Sequence, residues 1–396
     1  MKNLGMIKYY IISPTESPLT MRGKRHPNLA DFLISNGESV VYITSTINHA
    51  DKTIFNKSEI DNCKSNSKYP IHFFSCGLYK SNISIKRVFW NYIFSFNVLY
   101  FLIKHTKKND IILFPSRPSE LLLVALFIKV IRSVKLFIDV EDIWPDAFQI
   151  KNITIKFLFY KYCNIINKIS IPYFDLGVHV SPNFKNWLKR YHVKFDSKLA
   201  VLGITDEENI SQNKNKNKQN KKLTFFYGGT LTTQFNILPF LKALNNTKIP
   251  AKIILAGDNG SGNRHNDVIN YLKINDFDFV NLGNIKKKML INNLISSDIV
   301  IIPMVSGGLP KKFFDAIGCY KPIFNIGKGG VHNEIKKHNI GWSTPFDINE
   351  IEIVLNSISH DEINVKINNI QLIRDSYLEN KSLEIIYLEL LKCNNI

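Results

Sequence analysis

Ser306-Gly307-Gly308-Leu309-Pro310-Lys311-Lys312-Phe313-Phe314-Asp315, running on to Tyr320-Lys321-Pro322, follows the apolar run Ile299-Val300-Ile301-Ile302-Pro303. An uninterrupted apolar run of this kind is the pattern of a strand buried on both faces, as in a parallel sheet. Gly307 and Gly308 allow a tight loop. Pro310 suits the first turn of a helix, where a missing N–H costs nothing. The stretch therefore predicts a strand, a glycine loop and a helix whose first turns carry Lys311, Lys312 and Asp315. Unpaired N–H groups and the helix dipole make such a junction an anion site, and a lysine beside it adds charge for a phosphate. Asp315 can accept hydrogen bonds from sugar hydroxyls. An ordinary βα unit with a solvated lysine pair would carry the same residues.

The neighbouring segments repeat this plan. Leu223-Thr224-Phe225-Phe226-Tyr227 runs into Gly228-Gly229-Thr230, Lys252-Ile253-Ile254-Leu255-Ala256 into Gly257, and Phe277-Asp278-Phe279-Val280-Asn281-Leu282 into Gly283-Asn284. Ile323-Phe324-Asn325-Ile326 follows the opening stretch. Strands that end in glycine let a ligand approach the backbone, although for any single glycine a plain turn explains as much. Upstream, Asn213 to Lys222 is a polar low-complexity tract that buries nothing, and 206–222 is expected to be a linker.

The first half has its own series of strands: Lys8 to Ser13, Val40 to Thr44, Asp110 to Pro115, Leu136 to Val140 and Gly177 to Ser181. A helix with Leu29, Phe32 and Leu33 at core spacing stops at Gly37. Residues 51–83 read as polar and irregular. Ile85 to Lys108 is a helix aromatic nearly all round with basic flanks, which suits a buried core helix and a membrane-interface helix equally. Alternating strands and helices predict an α/β chain of two Rossmann-like, doubly wound domains. The expected boundaries are 1–205 with a closing helix 376–396, and 223–375 for the second domain. The first loop lacks Gly-x-Gly-x-x-Gly, so no dinucleotide cofactor is expected. Strand carboxyl ends carry function in such sheets. That draws notice to Glu141-Asp142-Ile143-Trp144-Pro145, with Asp139 just before it, and to the basic loop of Arg22, Lys24, Arg25 and His26.

The chain has 396 residues, 45% of them hydrophobic, enough for two full cores. No apolar stretch is long enough to span a bilayer, and the first residues lead straight into a strand-like run, unlike a signal peptide. The five cysteines lack metal or redox spacing and fit a reducing compartment. A net charge of +18 calls for an anionic partner: nucleic acid, a membrane surface or phosphorylated substrates. With no zinc-finger spacing, aromatic RNA-binding motif or arginine cluster, nucleic acid is not expected.

Leu309-Pro310-Lys311-Lys312-Phe313-Phe314-Asp315, then Lys321-Pro322, resembles the nucleotide-sugar-binding segment of bacterial GT-B glycosyltransferases of family 4, those of capsule, O-antigen and exopolysaccharide synthesis. Those enzymes often read Pro-x-Lys-x-x-Glu-Tyr and then Gly-Lys-Pro. Gly307 stands where many members carry another Glu, and Tyr320 stands where they carry the Gly. Asp142-Ile143-Trp144-Pro145 resembles an Asp-x-Trp-Pro motif of the family's first domain, Gly228-Gly229-Thr230 its phosphate loop, and residues 13–30 its acceptor-side loop. The resemblance implies a GT-B fold, with the two domains facing across a cleft. It implies Lys312 on the donor diphosphate and Asp315 on the ribose. Gly228, Gly229, Thr230, Gly283, Asn284, Gly307, Gly308, Leu309 and Pro310 would complete the donor site. Arg22 and Arg25 would face a phosphorylated acceptor, with His26 and Asp142 the catalytic candidates beside Lys312. It further implies retention of anomeric configuration and no metal.

The expected function is transfer of a sugar from a nucleoside diphosphate sugar to a lipid-linked or saccharide acceptor in surface polysaccharide synthesis. The expected place is the cytoplasm, peripheral to the inner face of an anionic membrane. Two alternatives are a nucleotide-sugar epimerase using Asp139, Glu141 and Asp142, and a non-catalytic protein binding anionic lipid or polysaccharide.

Overall fold

The structure is a computed structural model describing residues 7–21, 23–82, 84–148, 150, 152–206, 208, 222–231, 235–247, 249–257, 264–304 and 307–393. It divides into two compact units, Met1–Ala200 with Leu383–Ile396, and Val201–Ser382.

In the first unit the order is β1 (Lys8–Ser13), α1 (Arg25–Ser35), β2 (Ser39–Ser45), a hairpin of β3 (Ile47–Asn48) and β4 (Thr53–Ile54), α2 (Lys57–Ser65) and β5 (Ile71–Phe74). There follow α3 (Ile85–His105), β6 (Ile111–Pro115), α4 (Ser119–Arg132), β7 (Lys135–Val140), α5 (Ile153–Ser170), β8 (Leu176–His179), α6 (Pro182–Lys189) and β9 (Lys198–Leu199). The sheet order is β5-β2-β1-β6-β7-β8-β9, parallel throughout. The chain starts mid-sheet, builds outward through β2 and β5, then returns to β6 on the other side of β1. That reversal leaves a crevice at the carboxyl ends of β1 and β6. Tyr10, Ile12, Ile112, Phe114 and Ile138 pack on one face of the sheet with α3 and α4. Tyr9, Ile11, Tyr42 and Leu113 pack on the other with α1 and with Leu383, Ile386 and Leu390. Each such fully buried side chain contributes about 1.5–3 kcal/mol.

Two readings of this half change. Residues 51–83 are not irregular: they hold β4, α2 and β5. Helix α2 is set by a capping box between Asn56 and Glu59 but buries no residue, so it leaves no apolar period to find. Helix α3 is buried on one face and exposed on the other. Trp90, Phe94, Val98 and Leu102 are buried, whereas Phe89, Ile93, Phe96 and Tyr100 are exposed.

In the second unit the order is β10 (Leu223–Gly228), α7 (Leu238–Asn246), β11 (Ala251–Ala256), α8 (Arg264–Ile274), β12 (Asp278–Asn281), α9 (Lys287–Ser296) and β13 (Ile299–Pro303). Then come α10 (Lys311–Gly318), β14 (Ile323–Ile326), α11 (Gly330–His338), β15 (Gly341–Thr344), α12 (Ile348–Ser357) and α13 (His360–Ile373); the last helix, α14 (Glu379–Cys393), starts in this unit and from Leu383 onward belongs to the first. The sheet is again parallel, in the order β12-β11-β10-β13-β14-β15. The reversal falls between β10 and β13, the strands that feed Gly228-Gly229-Thr230 and the opening stretch. This unit begins before the expected linker: Ile204 bridges to Leu378, and Glu208 is fully buried. Residues 207 and 209–221 lie outside the described residues.

Candidate functional site

Two clusters sit at the two strand-order reversals. In the second unit, the loops after β12, β11, β10 and β13 follow neighbouring parallel strands and so share one sheet edge. The backbones there approach closely. Gly229 N donates to Ala256 O at 2.8 Å, and a Cβ on Gly257 would lie 2.2 Å from Gly229 O. Gly257 has φ +151 and Gly229 φ +133, so both demand glycine. Lys312, in the first turn of α10, reaches into this loop: a Cβ on Gly229 would meet its Nζ at 3.0 Å. The ammonium lies 4.1 Å from the Phe235 ring centroid and 4.7 Å from that of Tyr227. Burial holds its pKa down to about 8. Among the described residues it has no carboxylate within ion-pair distance, and Asp315 acts on it only from further away. A desolvated cation beside a glycine loop, without an anion of its own, is built to receive one.

Asp315, one turn further, is buried and meets Lys287 Nζ at 2.8 Å. Burial first, and repulsion from Glu208 second among the raising causes, lift its pKa to about 6. Burial opposes ionisation of Glu208 too, but Lys311 and Lys287 outweigh it and hold that carboxyl down to about 2. Lys311 Nζ lies 2.9 Å from Glu208 Oε2. The first lysine of the pair is thus engaged by Glu208, which leaves Lys312 as the one turned to the glycine loop. Lys287 and Glu208 escaped the sequence reading because they stand in unremarkable polar runs. Gly283 O accepts from Gly257 N and Gly307 O from Gly330 N, both at 2.8 Å, so these loops are tied to their neighbours by backbone. Asn284 and Gly308 extend the same edge, with Leu309 packed on the core below and Pro310 capping α10. Tyr227 Oη donates to Thr230 O at 3.0 Å, fixing the end of the β10 loop.

In the first unit, loops after β1, β6 and β7 converge with the start of α1. Arg25 is not turned toward an acceptor. It is buried, its Nε donates to Asp139 Oδ2 at 2.7 Å, and its Nη2 donates to Asp139 Oδ1 at 3.2 Å and to Ala200 O at 2.9 Å. Arg22 lies outside the described residues. His26 is wholly buried, with Nδ1 3.0 Å from Ser13 Oγ and 3.6 Å from Glu16 Oε2, and Nε2 3.5 Å from Asp139 Oδ2. Burial opposes its charge, but Glu141, Asp139 and Glu16 outweigh that and raise its pKa to about 9. The His26 ring thus faces Ser13, Glu16 and Asp139 and not open solvent. The group that reaches the cavity is Glu16, whose pKa burial and the nearby Glu141 raise to about 7. Glu141 lines the same cavity. Asp139 is no mere cap: burial works against its charge, yet Arg25 and His26 hold its carboxyl down to about 2. Asp142 is more exposed, its side chain 3.8 Å from Arg117 Nε and its carbonyl oxygen accepting from Ser116 Oγ. Glu16, His26 and Glu141 offer ligand atoms within 4.8 Å of one another, the one such group among the described residues. Arg25, Arg117 and an imidazolium proton already balance those carboxylates.

No protein-family model matches the sequence, and no curated protein sequence is significantly similar. Solved structures are. HepE from Anabaena, crystallised with UDP and glucose, superposes with a TM-score of 0.69 at 14% identity, over 98% of this chain and 99% of that one. Sucrose-phosphate synthase from Thermosynechococcus elongatus gives 0.71 at 13% identity, over 98% of both chains. WaaG, a glycosyltransferase of lipopolysaccharide biosynthesis, gives 0.66 at 12% identity, over 96% of this chain and 99% of that one. The chain has the GT-B fold. In a GT-B chain of two parallel sheets, each reversal of strand order is a natural ligand crevice, and here each holds one of the clusters just described.

Proposed function

We propose that the protein is a retaining glycosyltransferase that moves a sugar from a nucleoside diphosphate sugar to a lipid-linked or saccharide acceptor in surface polysaccharide synthesis. The observation that carries this reading is Lys312, desolvated and without a carboxylate of its own, against the Gly228-Gly229-Thr230 loop. The loop amides and Lys312 take the donor diphosphate, and Asp315 takes the ribose hydroxyls, oriented by Lys287. Departure of the nucleoside diphosphate builds negative charge that Lys312 stabilises in place. Supporting this, HepE was crystallised with UDP and glucose and WaaG acts in lipopolysaccharide biosynthesis. The first unit holds the acceptor, with Glu16 and Glu141 facing it.

The test is calorimetric titration with UDP and related nucleotides. Asp315→Ala is expected to weaken the nucleotide that binds by about 1.5–3 kcal/mol, the value of a hydrogen bond to a charged group. Unchanged affinity in a folded variant removes Asp315 from the site. The epimerase alternative needs carboxylates facing the substrate, which Glu16 and Glu141 supply. Incubating nucleotide sugars without acceptor separates the two, because an epimer forms only under that alternative.

The site of action is proposed to be the inner face of the cell membrane. No helix of the described residues is long and apolar enough to cross a bilayer. Three neighbouring helices of the first unit nonetheless expose apolar stripes: Phe89, Ile93, Phe96 and Tyr100 on α3, Phe127, Val130 and Ile131 on α4, and Leu158, Ile165 and Ile169 on α5. Lys86, Lys104, Lys107, Lys108, Lys156, Lys161 and Lys168 are exposed around them. Each lysine near an anionic surface adds about 1 kcal/mol, so roughly four or five give reversible binding. The protein is expected to float with anionic liposomes and to dissociate in molar salt, where charges are screened over about 3 Å. Equal flotation with neutral liposomes would mean that the lysines are only a solvated rim.

A further inference from the structure

The cavity at the carboxyl ends of β1 and β6 is lined by one cation, Arg87, that has no ion pair of its own among the described residues. Arg87, in the first turn of α3, lines it and is buried, yet its Nε has no hydrogen-bond partner. Its Nη1 donates to the Asn82 carbonyl at 2.7 Å, and the guanidinium carbon lies 5.0 Å from the Trp144 ring centroid. Among the described residues no carboxylate comes within ion-pair distance of it; Glu120 and Asp142 act only from further away. Arg117, on the opposite wall, also has an unbonded Nε, with Glu141 and Asp142 both 3.8 Å from its guanidinium. Lys52 stands nearby and shares Asn82 with Arg87, its Nζ donating to Asn82 Oδ1 at 2.7 Å. The crowding has a visible effect on His49. Burial and then Lys52, Arg87 and Arg117 push its pKa down to about 3, so it stays neutral among three cations.

We propose that Arg87 and Arg117 form an oxyanion site in the first unit that takes the phosphate or diphosphate group of the acceptor. The proposal rests on the glycosyltransferase reading and narrows its acceptor to one that carries phosphate. A buried guanidinium without a counter-charge is costly, and a phosphate oxygen meets its forked donors directly. Trp90 and Trp144 wall the cavity, which limits competition from water. Glu16 and Glu141 face the same space, and Glu16, held up to about 7, is the one that can shed its charge when an anion enters. The exposed apolar stripe of α3 starts at Ile85 and runs past Arg87 through Phe89, so an acceptor held by its phosphate has an apolar helix face beside it for a hydrocarbon chain.

The full-length protein is first saturated with UDP, which fills the second unit's site. It is then titrated by calorimetry with inorganic pyrophosphate and with farnesyl diphosphate below its micellar concentration. Both are expected to bind, Arg87→Met to weaken both by about tenfold or more, and Arg87→Lys, which keeps the charge, to weaken them less. Tighter binding of farnesyl diphosphate than of pyrophosphate assigns the site to a lipid-borne group; equal affinity assigns it to a soluble phosphate. The UDP titration reports on the donor reading alone, and failure there leaves the Arg87 comparison interpretable. Should Arg87→Met not fold, Arg117→Met, which is less buried, takes its place. Pyrophosphate affinity that is the same in wild type and in a folded Arg87→Met or Arg117→Met variant overturns the proposal.

Discussion

Lys312→Ala is expected to lower kcat about 100- to 1000-fold while changing donor affinity far less, the size of effect seen when one preorganised charge stabiliser is removed. Charge appears on the departing diphosphate mainly in the transition state, and only interactions that strengthen there raise the rate. Under the proposed function the glycine loop and Asp315 would still hold the ground-state donor in the variant. Because burial keeps the Lys312 pKa at about 8, kcat/KM should fall as pH rises through that value, where the free enzyme loses the ammonium. In Lys312→Arg that alkaline limb should move up, since guanidinium stays charged. A variant whose KM alone rises would make Lys312 a binding residue and no more.

Asp139→Ala is expected to destabilise the first unit by about 3–5 kcal/mol, the cost of stranding a buried charge. Arg25 and His26 both lean on this carboxylate, and neither has access to water in which to dissipate its charge. The pH dependence follows from the same three groups. The Asp139 pKa is depressed to about 2, so its contribution is present above the ordinary carboxyl range and lost as pH falls toward 2. His26 is raised to about 9, so its contribution is complete below about 6.5 and lost as pH rises through 9. Glu16, raised to about 7, favours its protonated form in the fold and subtracts stability as pH climbs toward 7. The wild type should therefore weaken between mildly acidic pH and pH 9, and Asp139→Ala should shrink the alkaline part of that loss. Denaturation followed by tryptophan fluorescence reads it, since Trp90, Trp144 and Trp187 lie in the first unit and Trp342 in the second. An unchanged midpoint would mean that the Arg25–Asp139 pair contributes nothing net.

What the sequence discloses here depends on the range of the interaction. Strands β10, β11, β13 and β14 stand out because burial on both faces writes an unbroken apolar run. The glycine at 229 and the lysine at 312 are legible because local chemistry, a turn and a helix start, marks their places. The partners of Arg25 are not legible. Asp139 is 114 residues away, and nothing in a basic loop says which carboxylate it will meet. Taken locally, Arg25 and His26 look like solvent-facing residues ready for a phosphate; the fold turns them inward and leaves Glu16 at the cavity. The same holds for Glu208, which looks like part of a polar spacer until α9 and α10 close Lys287 and Lys311 around it. Helix α2 is the opposite case, a fully local structure held by its cap, with no buried side to announce it.

The first unit is interrupted in sequence. Leu383, Ile386, Leu390 and Cys393 belong to its layer on the α1 face, although the 182 residues of the other unit separate them from Ala200. During synthesis, therefore, the amino-terminal sheet emerges from the ribosome with that layer open. Tyr9, Leu29, Leu33 and Tyr42 wait for partners translated some 180 codons later. At about 5–20 residues per second that is a delay on the order of 10–40 seconds, long enough for an exposed apolar face to engage a chaperone. The second unit carries no such debt, since Val201–Ser382 is continuous and can close as it is made. Helix α14 thus seals the first unit only after the second has been made: a chain that stops short of it would carry a complete second unit and an open layer on the first.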